Sequence, residues 1–221
     1  MIFLLFPNSK TYDFLDVNLG WVKQAADSKW GSSPYYQWGR KDPMLRNGGS
    51  AAVGSFNITT CATSLAATIQ NPTTFNTYEG TNYNWWVDND TAVSFYNYWD
   101  ADSVSTGNAD KVVNKTVYDP SPVGFSIPCG NAFLGFSTSN GGVWDSGWTW
   151  DDNYFAAAGY RSRGSGGIDN VGSSGYYWLA SSHSQQYAYY LGFNSSDVGP
   201  QYDGSRAYGF SVRPVRRPQN I

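Results

Sequence analysis

The chain has 221 residues, a formal net charge of −3, 14% charged and 18% aromatic residues, and 24 glycines. That length suits one sizeable domain or at most two small ones, and the low charge with many aromatic and turn residues favours a β-rich, loop-rich globule. A slightly acidic balance offers no electrostatic footprint for nucleic acid, and Arg213, Arg216 and Arg217, the only basic cluster, read as a solvated chain end.

Met1–Phe6 (MIFLLF) is apolar but far too short to span a bilayer, and lacks the basic flank and cleavage site of a signal peptide. It reads as a first strand or a chain boundary, with no direct membrane insertion expected. Asp13–Gln24 opens with Phe14, Leu15, Val17, Leu19 and Trp21, a pattern for a strand feeding a turn at Gly20. Tyr35–Trp38 reads as a short aromatic strand closed by the charged turn Gly39–Pro43. Thr63–Gln70 is the best helix candidate, ended by Asn71-Pro72. Thr81–Asn114, with Trp85, Trp86, Phe95, Tyr96, Tyr98 and Trp99 among Asn and Asp, reads as a long irregular region pinned by aromatics.

Asp119-Pro120-Ser121-Pro122 predicts a rigid turn before a strand at Gly124–Ile127, and from Pro128 onward the chain reads as a second short helix through Asn131–Phe136. From Gly141, Trp144, Trp148, Trp150 and Tyr154–Tyr160 return to β texture, with turns at Gly164–Gly167 and Gly172–Gly175. Around Tyr189–Phe193, alternation puts Tyr189, Leu191 and Phe193 on one face and Ala188, Tyr190, Gly192 and Asn194 on the other. Leu191, Phe193, Phe210 and Val212 are expected in the core. Pro200 and the Gly and Asp turn formers predict that Asn194–Tyr208 is loop. The stretch between Tyr176–Trp178 and Phe210–Val215 consists almost wholly of Tyr, Ser, Gly, Asn, Gln and Asp. This is the residue economy of a binding surface: tyrosine supplies rigid contact area, and the small polar residues supply adaptable hydrogen bonds.

Catalytic and metal chemistry find little support. His183 is the sole histidine and stands among Ser and Gln with no acidic residue beside it, and Ser182–His183–Ser184 carries no GxSxG elbow. The two cysteines, Cys61 and Cys129, form no CxxC, which argues against structural zinc and leaves a bridge and two buried thiols equally open. Asp88-Asn89-Asp90 fails as an EF-hand, because Trp99 stands where the loop Glu belongs and the turn Gly is missing. Asp88, Asp90, Asp151 and Asp152 leave a structural ion open. Asp145, Asp151 and Asp152 beside Trp148 and Trp150 read more readily as turn caps than as pocket walls.

Six blocks recur in a familiar order: QWGRKDP (Gln37–Pro43), IQNPTTF (Ile69–Phe75), KTVYDPSPVGFSIP (Lys115–Pro128), AAGYRS (Ala157–Ser162), GSSGYYW (Gly172–Trp178) and GFSVRPVR (Gly209–Arg216). Together they resemble the FISUMP-type, or major paralogous, domain of gut bacterial surface proteins and their phages. The resemblance implies an α+β, C-type lectin-like fold: a mixed, mostly antiparallel sheet with two short helices, long irregular loops and neighbouring terminal strands. It implies a single domain over residues 1–221, with 181–208 as the variable region of a diversity-generating retroelement. Adenine-directed rewriting of AAY codons never yields Lys, Glu, Gln, Met or Trp. Ser181–Tyr208 contains no Lys, Glu, Met or Trp, whereas Gln185, Gln186 and Gln201 must be fixed or arise from other codons.

The candidate ligand contacts implied are His183, Tyr187, Tyr190, Gly192, Asn194, Asp197, Gly199, Tyr202, Asp203, Gly204, Ser205 and Tyr208, with Leu191, Phe193, Arg206 and Phe210 as framework. The expected partner is a protein or glycan on a host or neighbouring cell, bound outside the cell, at a cell surface or on a phage particle, with no cofactor. The strings EPN, QPD and WND that hold calcium in sugar-binding C-type lectins are absent. Formylglycine-generating enzymes, a related branch, use cysteines near the C-terminal end, where this chain has none. The rival expectation is a structural or adhesin-like surface module without diversification.

Overall fold

The computed structural model describes residues 4–5, 11–20, 33–44, 57–62, 64–78, 80, 83–87, 96–103, 111–140 and 142–217. Short strands dominate: β1 (Leu4–Leu5), β2 (Thr11–Tyr12), β3 (Tyr36–Gln37), β4 (Asn57–Thr59), then helix α1 (Leu65–Gln70). There follow β5 (Thr74–Asn76), β6 (Phe125–Ser126), β7 (Val143–Trp144), β8 (Gly147–Trp150), β9 (Asn153–Ala156), β10 (Tyr160–Arg161) and β11 (Ile168–Asp169). The C-terminal third carries the long strands β12 (Ser174–Ser182), β13 (Tyr187–Asn194) and β14 (Val198–Ser205), then β15 (Gly209–Phe210) and β16 (Val215–Arg216). The architecture is mostly β, with open sheets and very little helix.

Several local expectations hold for plain chemical reasons. Ser64 caps α1 by accepting a hydrogen bond from the Ala67 amide at 3.1 Å, and the helix stops at Asn71, before Pro72. Between β8 and β9, Asp151 and Asp152 both take positive φ (44° and 63°), the two-residue hairpin turn whose twist matches antiparallel strands. At 131–136 the second expected helix is instead a chain of turns. Its amides reach back three residues, Ala132 to Cys129, Leu134 to Asn131 and Phe136 to Phe133. Phe133 and Phe136 are pulled inward against Phe14 and Phe155, so aromatic packing governs this segment.

β12 is the spine. It pairs antiparallel with β13, and parallel bridges tie it to Ser211 and Gly159, next to β15 and β10 of one four-stranded sheet. Tyr177, Trp178 and Leu179 are fully buried. Their surroundings satisfy the polar tips of the core aromatics: Trp178 Nε1 donates to Tyr36 O at 2.8 Å, Trp38 Nε1 to Leu179 O at 2.8 Å, and Tyr177 Oη to Ala156 O at 2.8 Å. Trp85, Trp86, Tyr98 and Trp99 of the irregular region are buried in the same cluster. Phe95, Asp88 and Asp90 lie outside the described residues, as do Trp21–Gln24.

Residues near both ends run side by side. Leu15 and Leu19 amides donate to Pro214 O and Val212 O, and β16 pairs with β6. Here the expectation of a solvated basic end is corrected. Arg213 is buried, and its guanidinium donates to Asn18 Oδ1 (3.0 Å), Leu15 O (2.9 Å) and Tyr154 O (2.6 Å) while lying over Phe155. The planar fork finds carbonyl acceptors in a fixed array, which repays its desolvation. Only Arg216 and Arg217 are exposed, as expected. Cys61 and Cys129 are both buried thiols and are not bridged to one another.

Candidate functional site

β12, β13 and β14 form one antiparallel sheet in that order, so β14 is an edge. The expectation that Asn194–Tyr208 is loop is therefore corrected: Val198–Ser205 is a strand. Proline is tolerated because an edge strand has an outer side without ladder bonds, and the register shifts between Tyr190↔Tyr202 and Gly192↔Gly199, so a bulge absorbs Pro200 and Gln201. Gln201 is anchored, its Nε2 donating to Gly130 O at 3.0 Å and Asn131 Oδ1 at 2.6 Å. Asn194 closes the hairpin, its Oδ1 accepting from the Ser196 and Asp197 amides at 2.8 and 3.0 Å.

The two sides of β13 differ. Leu191 and Phe193 are buried, Phe193 against Tyr177, Trp144 and Trp150. On the other side Tyr190 is half-buried, its ring 4.9 Å from Phe210 and 5.9 Å from Tyr202 between centroids. Ring contacts continue from there: Tyr190 to Tyr176 (6.0 Å), Tyr176 to Tyr160 (5.1 Å), and Tyr160 to Tyr208 (5.4 Å). The guanidinium of Arg163 then lies 5.3 Å from the Tyr208 ring, 4.6 Å from Tyr83 and 4.8 Å from Tyr78. Tyr187 lies beyond, its ring tilted and 5.5 Å from Tyr83. Tyr78, Tyr83, Tyr160, Tyr176, Tyr187, Tyr190, Tyr202 and Tyr208 are each partly or largely exposed. They form one tyrosine strip.

The glycines of the candidate set are seats for these rings. A Cβ at Gly199 would stand 1.9 Å from Tyr202 Cε2, one at Gly192 would stand 2.8 Å from Tyr190 Cε2, and one at Gly204 would stand 3.0 Å from Tyr190 Cε1. Gly192, Gly199 and Gly204 are thus buried beneath tyrosines, and Ser205 is buried as well, its hydroxyl donating to Tyr83 O. Asp197, Tyr202 and Asp203 are exposed, while His183, Tyr187, Asn194 and Tyr208 are half-buried like Tyr190. The framework residue Arg206 is fully buried, 4.2 Å over Trp38, and donates to Ser182 Oγ at 2.6 Å and to Ser184 O.

Electrostatics follow from this placement. Tyr202 donates to Asp197 Oδ2 at 2.8 Å, and holding that proton against a carboxylate raises its phenol pKa. Burial raises the phenol of Tyr190. His183 does have an acidic neighbour, distant along the chain: Asp203 Oδ2 lies 3.9 Å from its Nδ1, with Tyr189 edge-on at 5.2 Å. That pairing comes from the β13–β14 hairpin, which folds Asp203 back opposite Tyr189.

Among the described residues, no group of three His, Cys, Asp or Glu side chains converges on a point. A separate cleft of about 180 Å³ lies between Leu65, Ile69, Trp85 and Val117, with Arg40 and Asp42 in its wall. Small-molecule sites run to roughly 300–1,000 Å³, so this cleft is undersized. Arg40 is already committed to Gln37 Oε1 and Thr74 O. Among the described residues no helix is long and apolar enough to cross a membrane. Comparison with protein-family models, curated proteins and solved structures finds no match to this chain.

Proposed function

We propose that this protein is a non-enzymatic recognition protein, a FISUMP-type, C-type lectin-like scaffold that displays the β13–β14 hairpin and its tyrosine strip to a ligand outside the cell. The carrying observation is the two-sided β13. Leu191 and Phe193 lock one side into the core while Tyr190, flanked by Tyr176 and Tyr202, stays partly open on the other. Half-exposed, mutually packed tyrosines are already ordered before binding, which lowers the entropic cost of an interface. The adjacent terminal segments and the short capped helix support the lectin-like reading.

In this reading diversification by a retroelement acts on 181–208 but unequally. His183, Tyr187, Tyr190, Asn194, Asp197, Tyr202, Asp203 and Tyr208 reach the surface and serve as contacts. Gly192, Gly199, Gly204 and Ser205 support them from below. The carrier is a cell surface or a phage particle, and the ligand belongs to a host or neighbouring cell. The genomic flank tests this. A reverse-transcriptase gene and a near-copy of the Tyr176–Arg216 coding segment enriched in adenine are expected. Identical 181–208 segments across many strains, with neither element nearby, would instead leave a structural or adhesin-like module.

A further inference from the structure

Arg163 lies outside 181–208, yet its guanidinium sits against three tyrosine rings: Tyr78, Tyr83 and Tyr208. Tyr78 and Tyr83 are themselves stacked, with ring planes 17° apart at 5.6 Å. The backbone fixes the placement, because Tyr78 N donates to Arg163 O at 3.1 Å and the 162–167 turn is closed by Ser162 N to Gly167 O at 2.7 Å. Among the described residues, the ion pairs are Arg40–Asp42, His183–Asp203 and Arg216–Asp13, and Arg163 belongs to none of them. No hydrogen bond from its guanidinium to a described residue is found either. Of the other guanidiniums of the C-terminal half, Arg161, Arg206 and Arg213 are buried on backbone carbonyls or hydroxyls, Arg216 pairs with Asp13, and Arg217 is exposed at the chain end. Arg163 alone of these is half-exposed and held by aromatic faces, which position a cation without consuming its donors.

At the far end of the same strip the charge is opposite. Tyr202 leads to Asp197, whose carboxylate is exposed. The strip therefore runs from a cation at Arg163, through Tyr208, Tyr160, Tyr176, Tyr190 and Tyr202, to an anionic end.

Resting on the recognition reading above, we infer that Arg163 is a fixed, non-diversified anchor that takes a carboxylate side chain of a protein partner, so that bound partners share an orientation along the strip. A guanidinium matches a carboxylate with two parallel hydrogen bonds, and Arg and Tyr together are the residues that dominate protein interfaces. Complementary charge at the two ends of an apolar strip sets register more than affinity. A protein is favoured over a glycan as occupant because the strip offers a long row of aromatic faces bearing a charge at each end.

The test uses the whole chain against arrays of short peptides built from Gly, Ser, Tyr and Trp with one Glu, beside the same arrays with Gln for Glu. An array of uronic- and sialic-acid glycans runs in parallel. The Glu peptides are expected to bind about tenfold more tightly than their Gln counterparts, a preference that Arg163→Gln abolishes while its melting temperature stays near that of the parent. Tyr202→Ala should weaken Glu and Gln peptides alike. Equal binding of both peptide arrays, lost in Tyr202→Ala, would overturn the anchor and leave the display reading standing. A Glu preference that survives Arg163→Gln would also overturn it. Arg163-dependent binding confined to the glycan array would reassign the site to acidic sugars, and no binding on any array would count against both readings.

Discussion

Tyr190 and Tyr202 are neighbours in register and both belong to the candidate contacts, yet their truncation should have different consequences for folding. The Tyr190 ring packs against Phe210, Trp178 and Tyr176 and rests on Gly204 and Gly192. Removing a fully buried aromatic costs about 3–5 kcal/mol, and the partial exposure of Tyr190 brings the expected loss to about 2 kcal/mol. In a chain of this length that corresponds to a fall in melting temperature of roughly 4–8 °C. Tyr202 is 44% exposed and its hydroxyl bonds to the exposed Asp197. Tyr202→Ala should stay within about 0.5–1 kcal/mol, or roughly 1–4 °C. Calorimetry on the two single variants decides the matter. Equal shifts would refute the division between a supporting and a displayed tyrosine. It also follows that replacing Tyr187, Tyr190 and Tyr202 together is not neutral for folding, contrary to what a pure loop would allow.

Gly175→Ala should destabilise more than any surface change in the hairpin, by about 1–3 kcal/mol or above, since its Cβ would stand 2.1 Å from Phe193 Cζ in a closed core; denaturant midpoints read this directly. Asp119→Ala should cost about 2 kcal/mol, because the Ser121 and Ile127 amides (2.7 and 3.0 Å) lose their buried acceptor, and Asp119→Asn, which keeps one oxygen, should cost less. Burial raises the phenol of Tyr190 above its ordinary 10.0, so the folded chain keeps a proton that the unfolded chain releases. The stabilisation is complete below pH 10 and lost as pH climbs towards the folded value, so the parent should weaken relative to Tyr190→Phe under alkaline unfolding. A constant gap between the two would contradict the burial. Ultraviolet titration should likewise show Tyr154, pushed up to about 12 by burial, ionising after the exposed phenols.

What could be read from the residues alone was the part governed by near neighbours along the chain. Ser64 and Asn71-Pro72 bound the helix because capping and proline sterics act within a turn. Asp151-Asp152 makes its hairpin turn for the same reason, and alternation put Leu191 and Phe193 inside, although Ala188 and Gly192 of the opposite face are buried too and Tyr189 is half-buried. The tyrosine-rich hairpin was legible as surface chemistry, but its shape was not. Pro200 argued for a loop, and only the edge position of β14 and its bulge let it join a ladder. The stretch from Pro128 through Asn131–Phe136 was expected as helix, and the demand of the aromatic core for the Phe133 and Phe136 rings produced turns instead.

Arg213 looked like a solvated end because its acceptor Asn18 lies 195 residues away, and Arg163 carried no signal at all because its three tyrosines come from distant segments. Composition and spacing set turns, caps and strand faces, whose energetics are local. Which side chain is buried, which glycine must stay empty beneath a ring, and which cation is held by aromatic faces depend on long-range packing, and only the folded chain decides them.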